Sequence, residues 1–106
     1  MNLTDNEATQ LIQNSKLPII LYFWAPSCKA CCQFMLLFEE IELLYKGKAI
    51  FGKINIDDGQ AVSSKYNVRS LPTSLIFING ILQDTKIGVK TKSDYLAFTS
   101  LNIGKY

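Results

Sequence analysis

The chain contains no histidine. That removes Ser-His-Asp and Cys-His nucleophilic schemes and the commonest protein ligand for metals. It has only three cysteines, clustered at positions 28, 31 and 32, and so lacks the dispersed, even-numbered set of a disulfide-rich secreted framework. In a reducing compartment such a cluster points to catalysis or metal binding, yet structural zinc needs four ligands and this chain offers one Cys-x-x-Cys with one adjacent thiol. No metal site is expected. Charge of one sign is also missing: eleven basic residues against nine acidic ones leave +2. The only basic grouping, Lys86, Lys90 and Lys92, reads as a solvated face, so no nucleic-acid partner is expected. The longest apolar stretch, Leu17 to Pro26, is about half of what spans a bilayer. The polar start, Met1-Asn2-Leu3-Thr4-Asp5, lacks a basic segment followed by an apolar one. No membrane association is expected, and the chain reads as soluble and cytoplasmic.

What the chain does have is apolar content. At 106 residues and 48% hydrophobic, it is expected to form one domain over 1–106 with a core of its own. Thr4 and Glu7 fit a capping box opening a short helix that ends near Asn14. Ile19 to Trp24 is apolar without alternation, the pattern of a strand buried on both faces. A long helical pattern at Phe34, Leu37, Phe38, Ile41 and Leu44 follows, closed by Lys46-Gly47-Lys48. Ala49 to Ile56 reads as a second strand, in which Lys53 is a charge that needs a reason. A helix through Ala61, Val62 and Tyr66 leads to Asn67, then to a third strand from Ser74 to Ile78. Asn79-Gly80 reverses that strand into a fourth, Ile81 to Ile87. Ser93 is expected to cap a last helix burying Leu96, Phe98 and Leu101. The order predicts an α/β fold: parallel strands from the strand–helix alternation, an antiparallel C-terminal hairpin, and helices on both faces.

The chemistry concentrates at Cys28-Lys29-Ala30-Cys31-Cys32, where the first strand gives way to the long helix. Free N–H groups of the first turn, the positive end of the helix dipole and the neighbouring Lys29 all favour a thiolate, so Cys28 is expected to be the low-pKa thiol. Cys31, one turn further in, is placed to close a short ring with it, as in a dithiol that cycles with a disulfide. Cys32 lies about 40° around the helix from Cys28. It is either an alternative resolving or regulatory thiol or a small, partly exposed helix residue. Phe23 and Trp24 read as core; Lys65 and Arg69 read as surface. Tyr22 is either core filler or a hydroxyl near the second thiol.

Taken together, Leu3-Thr4-Asp5, Tyr22-Phe23-Trp24-Ala25-Pro26, Cys28-Lys29-Ala30-Cys31, Lys53-Ile54-Asn55-Ile56-Asp57, Val68-Arg69-Ser70-Leu71-Pro72-Thr73, Phe77-Ile78-Asn79-Gly80 and Ile87-Gly88 resemble the thioredoxin family in order and spacing over nearly the whole chain. The resemblance implies a thioredoxin fold with a central mixed sheet of four to five strands. It implies a thiol-disulfide oxidoreductase in which Cys28 is the nucleophile and Cys31 the resolving thiol, with no bound cofactor. The partners it implies are proteins bearing disulfides and a separate disulfide reductase as electron donor, the chain acting as a monomer. Pro72 would be a cis-proline facing the disulfide, Leu71 would pair with an extended substrate segment, and Gly88 would keep the other rim of the groove open. Two other functions are compatible with the same pattern: a non-catalytic binding module and a dithiol redox sensor.

The chain departs from the family pattern at several positions. Ser27 stands where an aromatic residue usually flanks the nucleophile, and Lys29-Ala30 replace Gly-Pro between the cysteines. The added charge is expected to make the disulfide more oxidising, and the resemblance implies the same for the lost proline. Tyr22 replaces a buried aspartate beneath the disulfide, so Cys31 is expected to lose its proton to water or by another route, whereas Lys53, the usual charged neighbour of that acid, is retained. Leu36 takes the place of a kinking proline, which predicts a straighter long helix.

Overall fold

A computed structural model describes residues 1–106. Four strands and four helices follow in the order α1 (Asp5–Asn14), β1 (Ile19–Trp24), α2 (Lys29–Leu44), β2 (Ile50–Asn55), α3 (Gln60–Lys65), β3 (Thr73–Ile78), β4 (Ile81–Ile87) and α4 (Lys92–Ile103). The strands form one sheet in the order β2-β1-β3-β4. The expected capping box is present, with Thr4 and Glu7 satisfying each other's backbone N–H groups. The hairpin turns at Asn79 and Gly80, both at positive φ as such a tight reversal requires.

Only β1 and β2 pair in parallel; β3 runs antiparallel to β1, contrary to the expectation from strand–helix alternation. Helix length explains the difference. The sixteen residues of α2 cover about 24 Å, enough to return the chain along a six-residue strand of about 20 Å. The six residues of α3 cover only about 9 Å, so the chain enters β3 from the end where β2 stopped. At the β2 edge, a single parallel bridge joins Asn2 to Lys53, flanked by hydrogen bonds from Leu3 N–H to Lys53 O and from Lys53 N–H to Met1 O.

Residues of β1 alternate between two cores. Ile20 and Tyr22 pack with Phe34, Phe38 and Ile41 of α2 and with Tyr95 and Phe98 of α4. Ile19, Leu21 and Phe23 pack on the opposite face with Ala8 and Ile12 of α1 and Val62 of α3. Burial of β1 on both faces is as its unbroken apolar run predicts. The last helix begins earlier than expected: Thr91, not Ser93, is its cap, accepting from Asp94 N–H. Its inward stripe is Tyr95, Phe98 and Thr99, and Leu101, six residues beyond Tyr95 and so about 120° around the helix from it, is 85% exposed. No helix is long and apolar enough to cross a membrane.

Candidate active site

Three strand ends converge where α2 begins. β1 finishes at Trp24, β3 starts at Thr73 opposite Phe23, and β4 finishes at Ile87 opposite Thr73. Ala25 to Ser27 carry the chain from β1 into α2, and Cys28 is the helix cap. Its sulfur accepts a hydrogen bond from Cys31 N–H at 3.2 Å, so it occupies the place that an oxygen-bearing side chain usually takes at a helix N-terminus. The two cysteines are joined as a disulfide, with Cα atoms 5.3 Å apart. Cys28 is half-buried, whereas Cys31 is 0% exposed. The pair therefore has an outer sulfur within reach of a partner and an inner one sealed beneath it.

Around this pair the anticipated residues fall into two groups. Lys29 is exposed, has no carboxylate partner, and is the only charged residue in the first turn of α2. The peptide bond between Leu71 and Pro72 is cis, Pro72 is buried, and its carbonyl accepts from Gly88 N–H at 2.7 Å, which ties the two expected rims of the groove together. Leu71 is half-buried against both cores. Gly88 has φ +78°, and a Cβ there would meet nothing within 4 Å. Its requirement for glycine thus comes from the backbone and not from crowding within the chain. Beside this segment, Val89 and Lys90 face Ala30, Gln33, Phe34 and Leu37 across a shallow groove of about 160 Å³.

Tyr22 and Lys53 lie below. They are register partners on β1 and β2, but their polar ends go to different places. Tyr22, 0% exposed, donates its hydroxyl to Cys31 O at 2.9 Å, so it is both core and a hydroxyl at the second cysteine. Burial pushes its phenol well above the ordinary tyrosine range, and nearby Cys32 adds to the shift. Lys53 Nζ instead pairs with Glu39 Oε2 at 2.9 Å. Glu39 is eight residues beyond Cys31, about 12 Å along the helix, so the charge of Lys53 is neutralised away from the disulfide. Its hydrogen bond holds the Glu39 carboxyl below its usual range.

Cys32 is a free, exposed thiol facing the Ala25 and Pro26 carbonyls at 3.9 and 3.8 Å. Neither it nor its neighbours form a group of three or more His, Cys, Asp or Glu side chains placed to hold a metal. Two polar partners escaped the sequence reading. Glu39 has no signal of its own in the sequence beyond the unexplained charge of Lys53. The Tyr95 hydroxyl donates to Ser74 Oγ at 2.7 Å inside the core, and no spacing rule links those positions.

Two sulfurs that can join or part within one helical turn, one outward and one sealed, are the equipment of a dithiol-disulfide oxidoreductase. Sequence comparison agrees with the geometry. The family model described as thioredoxin matches residues 1–100. The chain is 36% identical over 102 residues to the thioredoxin of Rickettsia felis, covering 96% of this chain and 97% of the relative. It is 33% identical over 103 residues to that of Haemophilus influenzae, covering 97% and 96%, and 34% identical over 103 residues to that of Pseudomonas aeruginosa, covering 97% and 95%. The chain belongs to the thioredoxin family, and its chemistry is thiol-disulfide exchange.

Proposed function

We propose that the chain, acting as one thioredoxin-like domain, exchanges disulfides with protein substrates through Cys28 as nucleophile and Cys31 as resolving thiol. The observation that carries this assignment is the asymmetry of the pair: Cys28 is half-buried at the cap of α2, and Cys31 is fully buried. In the reduced state the Cys28 thiolate attacks one sulfur of a substrate disulfide, and the electron pair of the broken bond leaves with the other. Cys31 then attacks Cys28 in the mixed disulfide, closing Cys28–Cys31 and releasing the second substrate thiol. Lys29 supports the thiolate by its charge and by carrying no competing partner. Leu71, Pro72 and Gly88 flank the outer sulfur and offer a rim along which an extended segment would lie.

Two electrons must return to the disulfide after each turnover, so a separate disulfide reductase is the donor and no bound cofactor takes part. The cytoplasm is the compartment in which such a reductant keeps the dithiol supplied. The chain is proposed to act as a monomer, its exposed apolar side chains being divided among α2 (Leu36, Leu43), β4 (Ile81, Ile87) and α4 (Leu101).

The test separates the two thiols. With a protein disulfide substrate, Cys31→Ser is expected to accumulate a mixed disulfide on Cys28, and Cys28→Ser to lose both adduct and turnover. An adduct forming at Cys31 or Cys32 in the Cys28→Ser variant would reverse the assignment.

A further inference from the structure

We propose that Tyr22 is a positioning residue for Cys31, its buried hydroxyl holding the first turn of α2 so that the second thiol meets the mixed disulfide on Cys28. The proposal rests on the assignment of Cys31 as the resolving thiol. Both backbone polar groups of Cys31 are engaged with residues of the site: its N–H donates to Cys28 Sγ at 3.2 Å, and its carbonyl accepts from Tyr22 at 2.9 Å. The tyrosine ring is fixed between its strand and the helix, 4.9 Å from the Phe38 ring and 6.0 Å from that of Phe34. Its strand, β1, is paired on both sides, so the hydroxyl is presented from an interior strand of the sheet.

That tether has a step in which to act. Once Cys28 is bonded to a substrate sulfur, Cys31 is no longer held by its disulfide. The remaining restraints on it are the helix, its packing in the aromatic core and the bond from Tyr22. Resolution is an intramolecular attack: the Cys31 thiol gives up its proton, its sulfur bonds to Cys28 Sγ, and the bond from Cys28 to the substrate sulfur breaks. The leaving sulfur takes the electron pair and is then protonated as the product thiol. Such a step depends steeply on how well the attacking atom is held. The first attack, by Cys28, has no hydrogen bond from the Tyr22 hydroxyl, which goes to the Cys31 carbonyl. Because burial keeps the phenol protonated, the group remains a donor throughout.

Reduced protein would be mixed with oxidised glutathione, quenched in acid, and the glutathione adduct on the Cys28 peptide followed by mass. Tyr22→Phe keeps the ring and its packing. It is expected to form the adduct at the wild-type rate and to resolve it about three- to tenfold more slowly, the range of one hydrogen bond. Tyr95→Phe removes another buried hydroxyl from the same face, one bonded to Ser74, and is expected to resolve at the wild-type rate. Unchanged decay in Tyr22→Phe, or equal slowing of formation and decay, would overturn the positioning role. A Cys31→Ser adduct that decays as fast as wild type would instead show that the resolving assignment itself has failed.

Discussion

The two faces of the sheet are built from different materials. Under α2 and α4 lies an aromatic layer of Tyr22, Phe34, Phe38, Tyr45, Phe51, Tyr95 and Phe98, and its three tyrosine hydroxyls go to Cys31 O, Gly104 O and Ser74 Oγ. Under α1 and α3 the buried set is mainly aliphatic, with Leu3, Ile12, Ile19, Leu21, Ile54 and Leu75 alongside Phe23 and Phe77, and it has no fully buried phenol. Only the first of these faces contains a cysteine of the disulfide. Rings joined by directional bonds to backbone and side-chain oxygens define positions more narrowly than interchangeable aliphatic groups do. The reactive pair therefore sits on the face whose packing leaves it least freedom, while the other face supplies cohesion.

The largest test of that division removes one large ring from each face. Phe38 and Phe77 are 0% and 1% exposed, so truncating either to alanine is expected to cost about 3 to 5 kcal/mol of unfolding free energy. The two variants should part in redox behaviour. Phe38 packs directly on Tyr22, so Phe38→Ala is expected to slow resolution of the mixed disulfide, whereas Phe77→Ala should lose stability with exchange kinetics intact. Denaturant titration paired with adduct kinetics on both variants checks this. Equal loss of exchange in the two would mean that the faces are not specialised.

An alkaline titration probes the same contrast with a smaller effect. Burial raises both the Tyr22 and Tyr95 phenols above the ordinary value near 10. Between that value and the raised ones the unfolded chain releases protons that the folded chain keeps, so the unfolded state binds fewer protons and stability falls with pH. Their full contribution is present below pH 10 and is lost as pH climbs above it. Denaturation midpoints of the oxidised protein are expected to drop above pH 10, with a shallower slope in Tyr22→Phe and in Tyr95→Phe. A slope unchanged in both variants would place the alkaline loss outside the aromatic face.

Much of this organisation could be read before folding was known, for identifiable reasons. The unbroken apolar run of β1, the Thr4/Glu7 box, Asn79-Gly80 and the cysteine pair are local signals, each written in adjacent residues, and the structure reproduces all four. Strand direction for β3 was missed because it depends on a difference in helix length between α2 and α3, which pattern alone does not weigh. The α4 cap was misplaced because Thr91 and Ser93 offer the same chemistry two residues apart, and only packing of Tyr95 against the sheet decides between them. Tyr22 could be recognised as unusual at its position, but its bond to Cys31 O joins two elements and has no trace in spacing.

The smallest predicted effect concerns the charge inside β2. Lys53, its side chain 12% exposed, needs an anion, and Glu39 supplies it from α2, on the aromatic side but two turns from the cysteines. The bond lowers the Glu39 carboxyl below its ordinary range, so the unfolded state takes up a proton first as the solution is acidified. Stability from this pair is therefore present above the ordinary carboxylate range near pH 4 and is lost as pH falls through the depressed value. Glu39→Gln is expected to lower stability slightly at neutral pH, to flatten the acid limb of the stability profile, and to leave the adduct kinetics of Cys28 unchanged. The last of these outcomes separates the sulfur chemistry from the charge. If Glu39→Gln also changed the rate of resolution, Lys53 would be acting on the disulfide despite its pairing, and the tuning of Cys31 could not be assigned to Tyr22 alone.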